Sequence, residues 1–385
     1  MRTVRTAIIG SGFMGSAHLE ALLRTPGVVV QGIASDDLER ANELADNFAI
    51  PTVVNDWEEL LQQADIEAIH NCTPNHLHHK INLAAIKSGK HILSEKPLTL
   101  TSNESLELIR ALDGSGVVNA MNYNYRMYPL IQEARIRVKN GDLGELFLVH
   151  GNYLQDWLLY NTDYNWRLET ERGGSSRAMA DIGTHWCDLL QFITDKKIRS
   201  VNANLRTIHK TRYKPSGDVQ TFHQDSQQET DSVEIGTEDL GHIHLEFEGG
   251  LSGSLVVSQV SSGRKNHLSF EISGGKSSLS WNQEEPNSLW IGHRDQPNQI
   301  LAKDPGLLEA EAAEYAHFPG GHPEGYPEGP LNLFNKFYSF IRSGEDPGDI
   351  ALPFPNFYDG HRENLIVDAI LKSNKQRQWI KVDAN

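Results

Sequence analysis

The chain has 385 residues, enough for about two domains rather than one ordinary core. Its 35 Lys+Arg stand against 51 Asp+Glu, a net charge of -16, and no basic run occurs, which argues against a nucleic-acid partner because that affinity comes from clustered cations. The two cysteines, Cys72 and Cys187, form neither a disulfide framework nor a metal-ligand spacing, so a reducing, cytoplasmic setting is expected.

The first residues run straight into a strand over 4–9, with no apolar signal core and no long membrane-spanning stretch downstream. A soluble, unprocessed chain without a membrane partner is therefore the expectation. Hydrophobic periodicity then predicts a helix over 14–23, a β-branched strand over 28–34, helices over 38–48 and 57–63, and a strand over 68–72. A helix over 77–87 ends at Gly89, a short apolar run covers 91–93, a helix covers 101–112, and 117–121 is a closing strand. That alternation means βαβ units and a parallel sheet.

After Arg126 the rhythm changes. A helix over 130–139 is stopped by Gly141, a strand covers 145–154, and 179–193 reads as helical. Short strands follow over 242–247, 253–260, 268–273, 277–281 and 288–292, separated by Gly and Ser turns. This is the pattern of a mostly antiparallel sheet in a second, α+β domain, so the fold class is α/β followed by α+β. Two polar stretches, 214–230 and 318–330, read as loops; the first is nearly without aliphatics, and the second is stiffened by prolines and carries His322.

Gly10-Ser11-Gly12-Phe13-Met14-Gly15 is a GxGxxG directly after the first strand and opening a helix. Glycines there permit a tight turn, close approach of a pyrophosphate and close helix packing, while the helix N-terminus supplies amides. Gly10, Gly12, Phe13, Met14 and Gly15 are thus cofactor-loop candidates. The ribose-reading position falls at Ser35 and Asp36, where a carboxylate would bind ribose hydroxyls and repel a 2′-phosphate. No arginine adjoins Ser35, which favours NAD and leaves NADP open; Asp36 or Asp37 could equally cap the next helix. Thr73 and Asn75 lie at the following strand exit as hydrogen-bonding candidates, with His78 in the first helical turn after them. His76, His78 and His79 diverge at a helix start, so no metal site is expected.

Ser94-Glu95-Lys96-Pro97 sits at another strand exit, where ligands of open parallel sheets bind. Proline pushes Lys96 away from helical geometry, which makes the lysine a catalytic candidate. Asp181 and His185 stand at i and i+4, on one helix face. Oxidising an alcohol needs a base for the hydroxyl proton, histidine titrates in the useful range, and a nearby carboxylate orients its ring. A helix-surface ion pair would look the same.

Gly10 to Gly15, Thr73-Pro74-Asn75 with His78, Glu95-Lys96-Pro97, Asn124-Tyr125-Arg126 with Pro129, Gly141-Asp142-Leu143-Gly144 and Asp181-Ile182-Gly183-Thr184-His185 together resemble the Gfo/Idh/MocA oxidoreductase family. That family includes inositol dehydrogenases and glucose-fructose oxidoreductase. The resemblance implies a Rossmann domain over 1–123 and an α+β domain over 124–385 with an open sheet used for homodimer or homotetramer assembly. It implies catalysis by Lys96, Asp181 and His185, with His185 as general base and Lys96 touching nicotinamide and substrate hydroxyl. Glu95 and Asn124 would join the cofactor contacts. Ser35 departs from the aspartate often found in NAD-using members.

Asp156-Trp157, Asn165-Trp166-Arg167 and the loop of His322 are similar to sugar dehydrogenases of that family, levoglucosan dehydrogenase among them. Arg126, Trp157, Arg167 and His322 are accordingly substrate-binding candidates beside Lys96, Asp181 and His185. Aromatic faces and a polar fork suit a polyhydroxylated ring, although Trp157 and Trp166 would also serve as loop core. The expectation is NAD-dependent oxidation of a secondary hydroxyl of a sugar, anhydrosugar or polyol, or its reverse. The alternatives are an NAD-dependent glycosidase working through transient oxidation and a dinucleotide-sensing regulator.

Overall fold

A computed structural model describes residues 2–215, 230–348 and 351–383. The expected polar loop over 214–230 lies outside the described residues except at its ends. In chain order the first elements are β1 (Val4–Ile9), α1 (Phe13–Leu23), β2 (Val28–Ala34), α2 (Leu38–Phe48), β3 (Thr52–Val54), α3 (Glu58–Gln62), β4 (Ala68–Asn71), α4 (Asn75–Lys87), β5 (His91–Ser94), α5 (Ser102–Leu112) and β6 (Asn119–Met121). Then come α6 (Pro129–Lys139), β7 (Leu146–Leu154), α7 (Thr170–Gly173), α8 (Thr184–Thr194), β8 (Ile198–Arg206), β9 (Thr211–Pro215), β10 (Thr230–Glu234), β11 (Leu240–Phe247), β12 (Ser252–Ser258), β13 (His267–Gly274), β14 (Ser278–Asn282), β15 (Ser288–Gly292) and β16 (Gln299–Ala302). The last are α9 (Ala310–Ala313), α10 (Glu328–Ser343), α11 (Phe357–Gln376) and β17 (Ile380–Lys381).

The chain packs as two compact units, Met1–Asn124 with Pro327–Asn364, and Tyr125–Tyr326 with Leu365–Asn385. The sequence reading kept all of 124–385 together. By packing, the segment carrying α10 groups instead with the N-terminal unit, because Phe334, Phe337 and Tyr338 bury themselves there.

In that unit six parallel strands take the order β3-β2-β1-β4-β5-β6. Central strands with both faces covered read as continuous apolar runs, and β1 is buried at five of its six positions. Right-handed crossovers place the helices on one face while the chain runs from β1 to β3 and on the other face from β4 to β6, so both faces are covered and the order reverses between β1 and β4. Local chemistry sets the helix starts. Asp37 caps α2 by accepting from the Arg40 amide at 3.0 Å, and Thr101 with Glu104 forms a capping box on α5.

The second unit is built on nine strands in the order β16-β15-β14-β13-β7-β12-β11-β8-β17. Every pairing is antiparallel except β7 with β12. One face carries alternating apolar residues such as Val149, Leu255, Val257, Phe270 and Ile272, which pack with Ile131, Trp186 and Leu190 of α6 and α8 into one core. The predicted helix over 179–193 is not uniform. Met179–Gly183 winds as a π-turn, with the Thr184 amide bonding back to the Met179 carbonyl, and only then does α8 run as an α-helix. Among the described residues no helix is long and apolar enough to cross a membrane.

Candidate active site

The glycine-rich loop between β1 and α1 shows three different steric situations. Gly10 has φ +106°, and a Cβ on it would lie 2.6 Å from the Cys72 carbonyl oxygen. A Cβ on Gly15 would lie 2.1 Å from the Gly10 carbonyl oxygen, so glycine is what lets α1 close on the turn. A Cβ on Gly12 would meet nothing within 4 Å. Gly12 is thus open where the loop faces outward at the end of β1, which suits a pyrophosphate cradled by the amides opening α1. Phe13 is exposed and Met14 half-buried in the first turn.

Ser35 at the exit of β2 is buried, its hydroxyl 2.7 Å from that of Ser11. Asp37 is the helix cap, and Asp36 is left exposed at the strand exit. Folding adds a cation that adjacency in sequence did not reveal. Arg40, one turn into α2, reaches back and its Nε donates to the Ser11 carbonyl at 2.6 Å.

The exits of β4 and β5 are tied by a polar ladder. Thr73 Oγ1 donates to Asn71 Oδ1 at 2.7 Å, Asn71 Nδ2 to Asn82 Oδ1 at 2.8 Å, and Asn82 Nδ2 to Ser94 Oγ at 3.0 Å. Asn75 is buried at the start of α4. His78, fully buried, sits with Nδ1 2.6 Å from the Pro97 carbonyl and Nε2 2.9 Å from the Thr73 carbonyl. Burial holds His78 below its ordinary range even though the two carbonyls favour the cation, so the neutral ring links the two strand exits through one donor at a time. The Lys96–Pro97 peptide is cis. The Lys96 amide lies 3.3 Å from Glu95 Oε2, and its side chain is half-buried. Asn124 is buried, and its Nδ2 has no hydrogen-bond partner among the described residues, a donor available to a ligand. Gly10, Gly12, Gly15, Ser35, Thr73, Glu95 and Lys96 therefore lie at the carboxyl ends of parallel strands, the edge where such sheets bind ligands.

In the second unit, Asp181 lies in the π-turn and His185 in the first turn of α8. Both Asp181 oxygens accept: Oδ1 from Arg167 Nε at 3.3 Å and Oδ2 from Gln259 Nε2 at 2.9 Å. Gln259 has no freedom to flip, because its Oε1 accepts from buried Arg177 at 3.1 Å. Arg167 also bonds Asn165 Oδ1 at 3.2 Å and lies 4.4 Å over the Trp166 ring. The His185 ring is met edge-on by Tyr125, with centroids 5.0 Å apart, and at a tilt by Tyr153 at 6.3 Å. Tyr125 donates to Tyr153 at 2.8 Å, Tyr153 to Asn266 Oδ1 at 2.6 Å, and Asn266 Nδ2 returns to Tyr125 at 3.0 Å. Burial pushes both tyrosines above their ordinary range, so this closed ring is a neutral wall beside His185.

Trp157 packs half-buried against Leu158, Tyr164, Leu168 and Ile235 and donates to Gln155 at 2.8 Å. Gln155 in turn donates to Asn266 at 3.0 Å, which joins the tryptophan to the tyrosine ring. His322 is exposed on its loop, which Lys303 anchors through the Phe318 and His322 carbonyls at 3.0 Å and Glu324 at 2.7 Å. Arg126 departs from expectation. Its guanidinium is paired with both oxygens of buried Asp188 and lies over Phe192, so the fork expected for substrate is used inside the protein. An arginine buried to this degree needs such a carboxylate. The sequence reading did not single out Gln259, Tyr153 or Asn266, since nothing local marks a glutamine on a strand exit as the orienter of a distant aspartate.

Residues 4–123 match the model described as an oxidoreductase family with an NAD-binding Rossmann fold. Residues 131–280 match the GFO/IDH/MocA C-terminal domain. The chain is 30% identical over 395 residues to levoglucosan dehydrogenase from Pseudarthrobacter phenanthrenivorans, covering 99% of each. Among solved structures it is similar to a levoglucosan dehydrogenase in complex with NADH and L-sorbose, with TM-score 0.88, 28% identity and 100% of both chains covered. It is also similar to an inositol dehydrogenase homolog from Azotobacter vinelandii in complex with NAD+, with TM-score 0.86, 25% identity, and 99% and 97% of the chains covered.

Proposed function

The chain belongs to the GFO/IDH/MocA oxidoreductase family, and from that premise we propose that it is an NAD-dependent dehydrogenase of a sugar, anhydrosugar or polyol, oxidising a secondary hydroxyl or reducing the ketone. What carries this reading is full-length likeness to a dehydrogenase solved with NADH and L-sorbose, joined to a glycine loop whose open position is Gly12. Gly12 and the first amides of α1 would hold the pyrophosphate, Ser35 and Asp36 the adenosine ribose, and Thr73 and Asn124 the nicotinamide half. NAD supplies the hydride acceptor. His185 takes the hydroxyl proton as general base, and Asp181 supports it from an orientation set by Arg167 and Gln259. Lys96 stabilises the charge that develops on the substrate oxygen. Arg167, Trp157 and the loop of His322 are assigned to the sugar ring. Arg126 is assigned to structure, as the partner of Asp188. Self-association is assigned to the face of the nine-stranded sheet opposite the helices, and the two buried free thiols fit a reducing, cytoplasmic setting.

The deciding experiment follows reduced-nicotinamide absorbance while the protein, with NAD and separately NADP, is offered inositols, hexoses, anhydrosugars and glycosides. NADH formation with one group of alcohols is the expected result. Aglycone release without net reduction would replace the dehydrogenase with the glycosidase.

The loop makes a separate expectation about binding. Gly12→Val is expected to leave thermal unfolding nearly unchanged, since a Cβ there meets nothing within 4 Å, yet to weaken NADH binding by about tenfold or more. Gly15→Ala drives a methyl into a backbone carbonyl and is expected to cost about 1–3 kcal/mol of stability. Fluorescence titration and melting curves read both, and undiminished NADH affinity in Gly12→Val would count against the assigned cradle.

A further inference from the structure

Behind Glu95 lies a string of buried titratable side chains that the proposed chemistry leaves unused. His18 on α1, His70 on β4 and Tyr338 on α10 are all fully buried. His18 Nε2 is 2.9 Å from Glu95 Oε1, His18 Nδ1 is 2.9 Å from His70 Nδ1, and His70 Nε2 is 2.7 Å from the Tyr338 hydroxyl. Asn122 Nδ2 donates to the same Glu95 oxygen. Phe334 stands edge-on to both imidazoles at 4.9 and 4.8 Å, an apolar wall around the pair.

Matching donors to acceptors leaves few ways to protonate the string. An ionised carboxylate only accepts, so His18 Nε2 carries a proton. With His18 neutral, its Nδ1 is an acceptor shared by His70 Nδ1–H at 2.9 Å and the Cys72 thiol at 3.2 Å, and His70 Nε2 accepts from Tyr338. Every hydrogen bond then points toward Glu95. A further proton on His18 also leaves every bond in place, provided His70 switches tautomer and donates to Tyr338.

We propose that His18, backed by His70 and Tyr338, is a positioning residue for the reaction: it keeps Glu95 ionised and in one orientation at the exit of β5, directly before Lys96. The proposal rests on the dehydrogenase reading. Four titratable groups surround Glu95, namely His18 from α1, Cys72 from the exit of β4, His78 from α4 and Lys96 beside it in the chain, with His70 and Tyr338 behind His18. Burial pushes the Glu95 carboxyl up, but the His18 hydrogen bond and charge, then Lys96 and Asn122, bring it from 4.5 down to about 2. Burial, with the charge on His18, holds His70 well below its ordinary range and so neutral. A carboxyl lowered in this way stabilises the fold fully above about pH 4.5, and that stabilisation is lost as pH falls toward about 2. Without the His18 donor, burial faces weaker opposition and Glu95 takes its proton at a higher pH.

Two measurements test this. The first compares kcat and kcat/KM against pH for wild type, His18→Leu, which removes the donor, and His18→Gln, which keeps an N–H for Glu95. His18→Leu is expected to lower kcat by about tenfold and to raise the pH at which activity is lost on the acid side, and His18→Gln is expected to restore most of both. Equal, pH-independent losses in the two variants, or a His18→Leu profile lying on the wild-type curve, would overturn the proposal. The second uses the unmodified protein labelled with 15N-histidine and needs no turnover. At pH 8, His18 is expected protonated on Nε2 and His70 on Nδ1, and the opposite tautomers would overturn the proposal. A protein that reduces no nicotinamide with any alcohol would remove the dehydrogenase reading while the tautomer measurement still decides how Glu95 is held.

Discussion

His185→Ala is expected to lower kcat by about 10²–10⁴-fold, the range contributed by a positioned general base, while NADH binding stays at the wild-type level. His185 is buried and faced by Tyr125 and Tyr153. The two tyrosines are pushed up by burial and cannot replace it as base at neutral pH. The variant should therefore lose the limb of the kcat/KM profile that reports the base, not only the amplitude. Steady-state rates across pH, with NADH fluorescence as the binding control, read the effect. A variant that keeps a third of the wild-type kcat would remove His185 from the chemistry and turn attention to Lys96.

The second large effect is on stability. Asp239→Ala is expected to destabilise the second unit by about 3–5 kcal/mol, the usual loss when one partner of a buried ion pair is removed. Asp239, Arg177 and Arg212 are all buried, with both guanidinium groups donating to Asp239 Oδ1. Asp239 Oδ2 also accepts from the Ile208 amide at 2.6 Å and the His209 amide at 3.1 Å. Removing the carboxylate strands two buried cations. Burial pushes Asp239 up while the arginines pull it lower still, so its stabilisation is in place above the ordinary carboxylate range and is lost as pH falls below it.

The damage should spread along the network. Arg212 also donates to the carbonyls of Leu158, Tyr160 and Asp163, the loop that carries Trp157. Arg177 holds Gln259, which orients Asp181. Urea unfolding followed by tryptophan fluorescence measures the loss. Replacing all three charges together with apolar residues of similar size is expected to recover much of the stability and none of the orientation of Asp181. If Asp239→Ala unfolds at the wild-type midpoint, the triad contributes far less than its burial implies.

Much of this molecule can be read without coordinates. The alternation over 4–121 led to a parallel sheet, and the short strands after 240 led to a mostly antiparallel one, because side-chain period and turn residues are set by near neighbours in the chain. The Gly10, Gly12 and Gly15 spacing carried its stereochemistry with it, and proline after Lys96 marked a strand exit. Other features have no local signature. Arg126 looked available until Asp188, 62 residues away, took its fork. Arg40 reached Ser11 across 29 residues, although no arginine adjoined Ser35. Gln259 orients Asp181 across 78 residues, and His18, His70 and Tyr338 line up only because α10 returns to the first unit. Burial forces each polar group to find a partner wherever the fold supplies one. Local patterning settles which elements form and where ligands can approach, whereas the pairing of buried charges and donors is settled by which distant strands and helices meet.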